Sequence, residues 1–275
     1  MILTIGMASY KNYADVWFTV QALRLYHNLE DCEILVVDNY GDDYLRQWCV
    51  NTAYSNVRYI QAKEIQGTSY PRNKIFEEAT GEFVLCLDSH IFLHTGVIDK
   101  LKMWIRCNRG CADLIQGPMV FDHLDTYCDY WDPIWIGHMW GKWCPLKQTK
   151  DLPKEQYEIP MLGLGLFGCY KDKWLGFNPR FRGFGGEEGY IHEKYRRAGH
   201  KVICLPWLTW VHKFHNQSSP TSYPNILEDR VRNYIIGFTE LGMDLEPIKT
   251  HFGEDLFNRA KLRFENETGN LEAPL

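Results

Sequence analysis

An acidic residue and a histidine stand two positions apart where a buried strand is expected to end. The stretch 81-GEFVLCLDSHIF-92 opens with a mostly apolar run and then changes to Asp88, Ser89 and His90. A carboxylate and a neutral imidazole are ligands for a divalent cation, and this mixed pair favours manganese or a related transition ion over magnesium. Two ligands hold an ion weakly, so a third protein ligand and substrate oxygens are expected. The alternative is that Asp88 caps the following turn and His90 is merely packed.

The composition is that of a globular protein. The chain has 275 residues, of which 45% are hydrophobic and 24% charged, enough for one α/β domain with a substantial core. The net charge of −5 provides no general basic field that would draw the protein to nucleic acid or to an anionic membrane. No apolar run approaches the length of a membrane span.

The cysteines and the N-terminus indicate the cellular compartment in which we expect the protein. Nine cysteines are scattered without a CxxC pair, so zinc-ribbon spacing is absent, and several lie in apolar runs as small core residues. A reducing setting fits this usage best. The opening MILTIGMASYKNY has neither the basic segment nor the long apolar segment of a secretory signal. We therefore expect a cytoplasmic protein.

Strand and helix signals alternate through the first part of the chain. The predicted strands and helices are, in order, Ile2–Met7, Ala14–Tyr26, Glu33–Val37, residues 42–50, Val57–Gln61, Ser69–Ala79 and Phe83–Leu87. This alternation indicates βαβ units and a mainly parallel sheet, in which ligands collect at the carboxyl ends of the strands. Asp38 and Asp88 both follow such ends, which is the first structural reason to place them in a site.

The regular pattern stops after a predicted helix over residues 97–107 and a strand over residues 113–120. The next segment, residues 121–147, has no clean period and contains Trp131, Trp135, Trp140 and Trp143. We interpret this segment as a long excursion over the sheet, of the kind that is usually functional. The alternative is an aromatic patch that faces lipid or a second copy of the chain.

Regularity returns in the second half. A helix is expected to begin after Gly185 and Gly186, with Glu187 and Glu188 in its first turn, where negative charge is favoured. Gly199 is its expected stop. The remaining predicted elements are an ordered stretch over residues 161–177, a strand over Lys201–Leu205 and two helices after Tyr223.

Separated blocks of the sequence resemble GT-A-fold glycosyltransferases. The blocks ILTIGMASYKN, ILVVDN and RNKIFEEATGEFVLCLDSH are similar to the nucleotide half of family 2 enzymes, where the last element is usually Asp-x-Asp. The Asp-x-His form present here resembles that of the polypeptide N-acetylgalactosaminyltransferases. The blocks GLGLFGCYKDKWLGF and GFGGEEGYI follow, and then Pro206 and His212. The resemblance covers roughly residues 2–215.

The resemblance implies a Rossmann-like GT-A nucleotide-sugar fold, with a mostly parallel central sheet flanked by helices. We expect one glycosyltransferase domain over residues 1–215, divided into a nucleotide-binding half, residues 1–95, and an acceptor half, residues 96–215. A helical C-terminal extension over residues 216–275 is expected to pack on this domain. It matches neither kind of relative, and together with the Trp-rich segment we expect it to shape the acceptor pocket.

The same resemblance implies a metal site. Asp88, His90 and His212 would bind manganese, which would grip the diphosphate of a UDP-sugar and stabilise the charge that develops on the β-phosphate. His212 follows the Gly-Gly-Glu motif at the interval where that family has a metal-binding histidine near the end of a strand. His215 is the second candidate for the third ligand, and ordinary packing of His212 is the alternative.

The resemblance also implies a nucleotide-sugar site. Asp38 would accept a hydrogen bond from the uracil, Ala8 and Ser9 would line the base, and Arg72 would lie near the diphosphate. The predicted nucleotide-sugar site comprises Ala8, Ser9, Asp38, Arg72, Asp88, Ser89, Gly185 and Gly186.

The residue after Gly-Gly-Glu bears on stereochemistry. The retaining N-acetylgalactosaminyltransferases have an amide there, whereas the inverting β-1,4-galactosyltransferases have an acid that acts as the base. This chain has Glu188, so we expect an inverting displacement with Glu188 as general base and Glu187 bound to acceptor or donor hydroxyls. The alternatives are retention, or two glutamates that only favour the helix N-terminus by up to about 1 kcal/mol each.

The acceptor stays open. The absence of a recognisable lectin domain and secretory anchor counts against a mucin-type peptide, which leaves a glycan, a lipid-linked sugar or a hydroxylated base in viral DNA. The acidic net charge counts against DNA.

A pyrophosphorylase would need a Gly-rich, Arg-containing loop where this chain has MASYKN. A catalytically silent nucleotide-sugar-binding protein would not need both the metal ligands and Glu188.

Overall fold

A computed structural model describes residues 1–51, 56–214 and 223–269, with side chains as far as residue 265. The strands are β1 Leu3–Ser9, β2 Cys32–Asp38, β3 Val57–Gln61, β4 Phe83–Asp88, β5 Ile91–Leu93, β6 Leu114–Gln116, β7 Met119–Val120, β8 Thr126–Cys128, β9 Trp131–Ile136, β10 Met139–Trp143, β11 Lys147–Gln148, β12 Tyr157–Glu158, β13 Leu166–Tyr170, β14 Val202–Cys204 and β15 Trp210–His212. The helices are α1 Tyr13–Tyr26, α2 Asp43–Asn51, α3 Ser69–Glu78, α4 Val97–Cys107, α5 Glu187–Arg197, α6 Leu227–Glu240, α7 Glu246–Phe252 and α8 Glu254–Gly269.

The central sheet has the strand order β12-β14-β6-β13-β4-β1-β2-β3. The four strands from β4 to β3 are parallel, as the alternating pattern predicts, and β6 pairs with β14 in parallel as well. The sheet is mixed because β13 runs antiparallel to both β4 and β6, and β12 runs antiparallel to β14. β13 returns from the long segment that follows β7, so it enters the sheet from the opposite end.

Burial explains why the first strands are so apolar. Every residue of β2 is buried, and so are all residues of β4 except Asp88, because helices cover the sheet. Parallel strands buried on both faces carry near-continuous apolar runs rather than alternating ones. This packing places the strand ends, where polar residues begin, at one edge of the core.

A second sheet, of order β11-β8-β7-β15-β5, lies beside the strand ends of the first. The predicted single strand over residues 113–120 is wrong, because Gly117 and Pro118 separate β6 in the central sheet from β7 in the second sheet. The aperiodic residues 121–147 are four short strands, of which β9 and β10 form an antiparallel hairpin. Short strands with bulges and mixed exposure carry no clear period.

The C-terminal part is helical, with three helices rather than the two predicted among the residues described here. The short α7 ends at Phe252 and α8 begins at Glu254, with Gly253 between them at a φ of 84°. The expected boundary at residues 215 and 216 lies outside the described residues, so the division of the chain stays a prediction. Within the described ranges, no helix combines the length and the apolar character that a bilayer crossing requires.

Candidate active site

The ends of neighbouring strands bring the first predicted site residues together. In the parallel register Ala8 of β1 lies beside Asp88 of β4, and Ser9 lies beside Asp38 of β2. Because these strands end at the same edge, polar groups that are far apart in sequence meet there.

The metal-ligand candidates converge from two sheets. β4 ends at Asp88 and turns directly into β5, and His212 of β15 pairs with Ile91 of β5. The Oδ2 atom of Asp88 lies 3.9 Å from Nε2 of His90 and 3.8 Å from Nε2 of His212. The two imidazole ring centroids are 4.8 Å apart. Because β15 pairs with β5, His212 lies close to this turn although it is distant in the sequence.

This cluster fits a divalent cation. It offers one carboxylate oxygen and two imidazole nitrogens, all within 4.8 Å of one another. Burial alone would raise the pKa of Asp88, but Arg72 and the imidazoles of His212 and His90 outweigh burial and hold the pKa below its ordinary value. The carboxylate is therefore ionised at neutral pH. The Nδ1 atom of His212 is buried without a hydrogen-bond partner among the described residues, so this ring is held by packing rather than by a second donor or acceptor.

Arg72 links the metal-ligand aspartate to the glutamate motif. It lies near the start of α3 and is buried, with Nη2 donating to Asp88 at 2.9 Å and Nη1 donating to Glu187 at 3.1 Å. Thr68, just before α3, also donates through its hydroxyl to Glu187. Burial disfavours the charged form of Arg72, but the two carboxylates outweigh burial and raise its pKa further. The guanidinium stays charged and fixes Glu187 relative to Asp88.

The glycines before α5 are required by the approach of α6. Gly185 and Gly186 have φ values of 93° and 94°, a region that side-chain-bearing residues rarely adopt. A Cβ on Gly185 would lie 2.3 Å from Nε of Arg230, and one on Gly186 would lie 2.9 Å from Cβ of Asn233. The side-chain amide of Asn233 donates to the carbonyl of Gly185 at 2.8 Å. α6 thus positions the loop that presents Glu187 and Glu188.

Glu188 has the electrostatics of a proton acceptor at neutral pH. Burial raises its pKa to about 7, and the negative charge of Glu187 adds to the shift, while Arg230 and Arg72 oppose it. A carboxyl group that titrates near neutrality is matched to general acid–base chemistry.

Two clefts meet at the ligand cluster. The first, of about 750 Å³, contains Ala8, Ser89 and His90 in its wall and is called the Ala8 cleft. The second, of about 720 Å³, contains Glu188 and is called the Glu188 cleft. Both clefts are lined by Arg72, Asp88, Phe184 and His212. The shared wall therefore contains two of the three metal-ligand candidates, Asp88 and His212, with one binding space on each side.

Some predicted residues lie behind the clefts rather than in their walls. Asp38 is fully buried, and its carboxylate accepts hydrogen bonds from the backbone of Tyr40 and Asp42 and from the hydroxyl of Tyr59. Ser9 is buried beside it. Their predicted contact with a nucleotide stays a prediction. His215 lies outside the described residues.

Sequence reasoning missed several residues that line the clefts. Tyr223 stacks on Tyr10 with ring centroids 4.2 Å apart, and both line the Ala8 cleft. Arg230 and Tyr234 of α6 line the Glu188 cleft. In the sequence, Arg230 and Tyr234 are merely an arginine and a tyrosine on the buried face of a helix. The sequence alone does not distinguish such residues from core packing.

The model of a known family, glycosyl transferase family 2, matches residues 4–170. The matched residues span β1 to the end of β13 and include the Asp-x-His turn. The chain belongs to glycosyl transferase family 2. The predicted GT-A glycosyltransferase assignment is thereby confirmed.

Curated relatives of this family 2 chain are N-acetylgalactosaminyltransferases. The chain is 26% identical over 229 residues to a probable N-acetylgalactosaminyltransferase 6 of Caenorhabditis elegans. This match covers 77% of this chain and 37% of the relative. It is 27% identical over 229 residues to polypeptide N-acetylgalactosaminyltransferase 5 of Rattus norvegicus, covering 77% of this chain and 24% of the relative. The chain therefore spans well under half the length of either relative.

Solved structures share the fold of this family 2 chain. GalNAc-T7 with UDP, GalNAc and Mn²⁺ superposes with a TM-score of 0.68 at 17% identity, over 88% of this chain and 50% of the other. The mannosyltransferase PcManGT from Pyrobaculum calidifontis, in complex with GDP-Man and Mn²⁺, gives a TM-score of 0.57 at 14% identity. This match covers 94% of this chain and 73% of the mannosyltransferase. At these identities the similarity establishes the GT-A fold.

Proposed function

We propose that this protein is a metal-dependent glycosyltransferase that moves a sugar from a UDP-sugar to an acceptor hydroxyl, with inversion at the anomeric carbon. Glu188 is the base in this proposal, and Asp88, His90 and His212 hold Mn²⁺. The observation that carries the proposal is the meeting of two clefts at Asp88 and His212, with Glu188 lining only one of them.

The Ala8 cleft is assigned to the donor. It lies at the carboxyl ends of β1 and β4, where nucleotides bind in open α/β sheets, and Ala8 and Ser89 line it. Ser9 and Asp38 lie at the same strand ends behind it. The GalNAc-T7 structure holds UDP, GalNAc and Mn²⁺ on the same fold. These observations support a UDP-sugar here, with its diphosphate near Arg72.

The Glu188 cleft is assigned to the acceptor. The acceptor oxygen attacks the anomeric carbon from the face opposite the phosphate, and the bond between that carbon and the β-phosphate oxygen breaks. Glu188 takes the hydroxyl proton, while UDP leaves with the electrons of the broken bond. Glu187, fixed by Arg72, and the backbone at Gly185 and Gly186 border the place of reaction. A bound divalent cation supplies Lewis-acid stabilisation of the charge on the leaving phosphate.

Retention of configuration is the second candidate, because the Asp-x-His motif and the curated relatives both point toward the N-acetylgalactosaminyltransferases. Glu188, an acid with a pKa raised to about 7, favours inversion. Proton NMR of the purified product separates the two, because the coupling constant of the anomeric proton reports its configuration. Retention of the donor configuration would remove Glu188 as the inverting base.

The direct test is donor cleavage. The purified protein is incubated with UDP-GalNAc, UDP-GlcNAc, UDP-galactose, UDP-glucose and GDP-mannose, each with Mn²⁺ or EDTA, and free nucleotide is measured. We expect slow hydrolysis of one UDP-sugar with Mn²⁺ and none with EDTA. Binding of a nucleotide sugar without turnover, whatever acceptor is supplied, would instead identify a catalytically silent binding protein.

The cytoplasm is the compartment that we propose. All nine cysteines are free thiols in this structure, and seven of them are buried, which is compatible with a reducing compartment. Localisation of a tagged full-length protein by microscopy tests this assignment.

A further inference from the structure

We propose that the Glu188 cleft binds a pyranose, so that the acceptor is a carbohydrate whose ring packs on Trp143 while its hydroxyl groups bind polar atoms deeper in the cleft. This inference rests on the proposed function, since it names the acceptor class of the same site. Its support is the wall of the cleft, which is built from segments outside the sequence motifs.

The cleft has a continuous aromatic wall. Trp131 begins β9, Trp143 ends β10, and Phe214 follows β15. The ring centroids of Trp131 and Trp143 are 5.0 Å apart, those of Trp143 and Phe214 are 6.2 Å apart, and those of Phe214 and His212 are 4.5 Å apart. The wall therefore runs from the β9–β10 hairpin to a metal-ligand candidate.

Of the two tryptophans in the wall, Trp131 is tightly packed and Trp143 is accessible. A Cβ on Gly141 would lie 2.5 Å from the Trp131 ring, and one on Gly163 would lie 2.9 Å from it, so Trp131 fits only because both neighbours are glycine. Trp131 is 4% exposed, whereas Trp143 is 37% exposed. Trp143 is therefore the more accessible of these two rings in the cleft wall.

The ring angles favour a pyranose over a flat base. The planes of Trp131 and Trp143 are inclined by 55°, and those of Trp143 and Phe214 by 61°. A base extruded from a duplex is stacked between aromatic or apolar side chains, and these inclined rings form no parallel pair to hold it. A pyranose needs only one aromatic face for its apolar C–H groups, and it presents hydroxyls around its edge.

Three residues of the cleft wall carry buried polar atoms without a partner in the described part of the chain. Nε1 of Trp131, Nε of Arg230 and Oε2 of Glu187 are buried without hydrogen-bond partners among the described residues, and all three residues line this cleft. Buried polar atoms are normally paired, so each calls for a partner. Two are donors and one is an acceptor, and a sugar hydroxyl can serve both kinds.

The charges of the cleft favour a neutral ligand. Its acidic residues are Asp88, Glu187 and Glu188, and one of its two arginines, Arg72, is already bound to two carboxylates. Apart from a bound cation, the side chains of this cleft carry more acidic than basic groups, so a polyanion such as DNA would find no cluster of basic groups to neutralise its phosphates.

The test uses p-nitrophenyl glycosides of galactose, glucose, N-acetylgalactosamine and N-acetylglucosamine, in α and β forms, as acceptor probes. Saturation-transfer NMR with Mn²⁺ and UDP reports binding, and UDP release from the active donor reports transfer. We expect at least one glycoside to bind and to accelerate UDP release. Trp143→Ala should raise its KM about tenfold, as expected for loss of an aromatic contact worth about 1.4 kcal/mol.

Trp17→Ala, on α1 and outside both clefts, is the matched control and should leave glycoside binding unchanged. The proposal is overturned if no glycoside binds, if Trp143→Ala binds the glycoside as wild type does, or if a serine peptide or a hydroxymethylated oligonucleotide is glycosylated in preference to every glycoside. Failure of the proposed function looks different: no donor is cleaved, although a glycoside binds and Trp143 controls its binding.

Discussion

The two clefts are built in contrasting ways. The Ala8 cleft is formed largely by residues that follow strands of one parallel sheet, where Ala8 and Asp88 lie side by side in register. The Glu188 cleft is formed by segments that have no common element: the β9–β10 hairpin, the loop before α5, and α6. The first cleft is dictated by sheet geometry and the second by tertiary packing.

This difference separates shared chemistry from specificity. Asp88, His212 and Arg72 border both clefts, so a change there should affect every reaction of the donor. Trp143 and Glu188 border only the Glu188 cleft, so changes there should affect the acceptor reaction most. The variants below test whether the two clefts separate in this way.

Loss of a metal-ligand side chain should have the largest effect. His212→Ala is expected to lower both donor hydrolysis and transfer about 10³-fold, because Lewis-acid stabilisation of the leaving phosphate contributes several kcal/mol. Nucleotide release with saturating Mn²⁺ measures this. His94→Ala, an exposed histidine near the same turn, is the control and should be fully active. Wild-type hydrolysis by His212→Ala would remove this residue from the chemistry.

Replacement of the base should separate the two reactions. Glu188→Gln keeps the shape but accepts no proton, so transfer to the acceptor should fall about 10²–10⁴-fold. Donor affinity, measured by calorimetry with Mn²⁺, should change less than about twofold. The control is Glu193→Gln on the same helix, where the carboxylate pairs with Arg196 and Arg197. Transfer at the wild-type rate by Glu188→Gln would contradict the assignment.

The pH profile should show the raised pKa of Glu188. The base must be ionised, so kcat/KM for transfer should be half-maximal near the pKa of about 7, level off at higher pH and fall about tenfold per pH unit well below it. A carboxyl with an ordinary pKa would keep full activity to near pH 5. Initial rates from pH 5 to 9 decide this, and an acidic limb near 4.5 would show that burial and Glu187 do not perturb Glu188.

Loss of the contact between α6 and the loop that contains Gly185 and Gly186 should have a smaller effect. Asn233 makes hydrogen bonds with Arg182 and with the carbonyl of Gly185. Asn233→Ala is expected to destabilise the fold by about 2–3 kcal/mol, because buried backbone partners are left unsatisfied. Denaturant unfolding measures this, and transfer should fall several-fold. Thr239→Ala, exposed on α6, should change neither quantity.

The sequence predicts the Ala8 cleft far better than the Glu188 cleft. Runs such as Ile34–Val37 and Phe83–Leu87 are strongly apolar because both faces of the sheet are covered there, and the strand bounds follow from them. The convergence of Asp88 and His90 follows from adjacency in sequence, and His212 was placed by resemblance. The pairing of β15 with β5 that brings His212 to them has no local signal.

The Glu188 cleft shows where sequence reasoning stops. The hairpin strands β9 and β10 contain Pro133 and a bulge near Gly141, so their alternation is broken and no period is visible. Arg230 and Asn233 fit an amphipathic helix, and only the fold shows that they hold the glycine loop. These contacts depend on chain segments tens of residues apart, which local propensity cannot encode.

Anomalous diffraction from a crystal soaked in MnCl₂, with data collected at the manganese edge, tests the central claim most directly. We predict one strong peak at this end of the sheet, within coordination distance of an Asp88 carboxylate oxygen and of one imidazole nitrogen each of His90 and His212. A fully occupied manganese peak that lies away from any one of these three side chains would contradict the account.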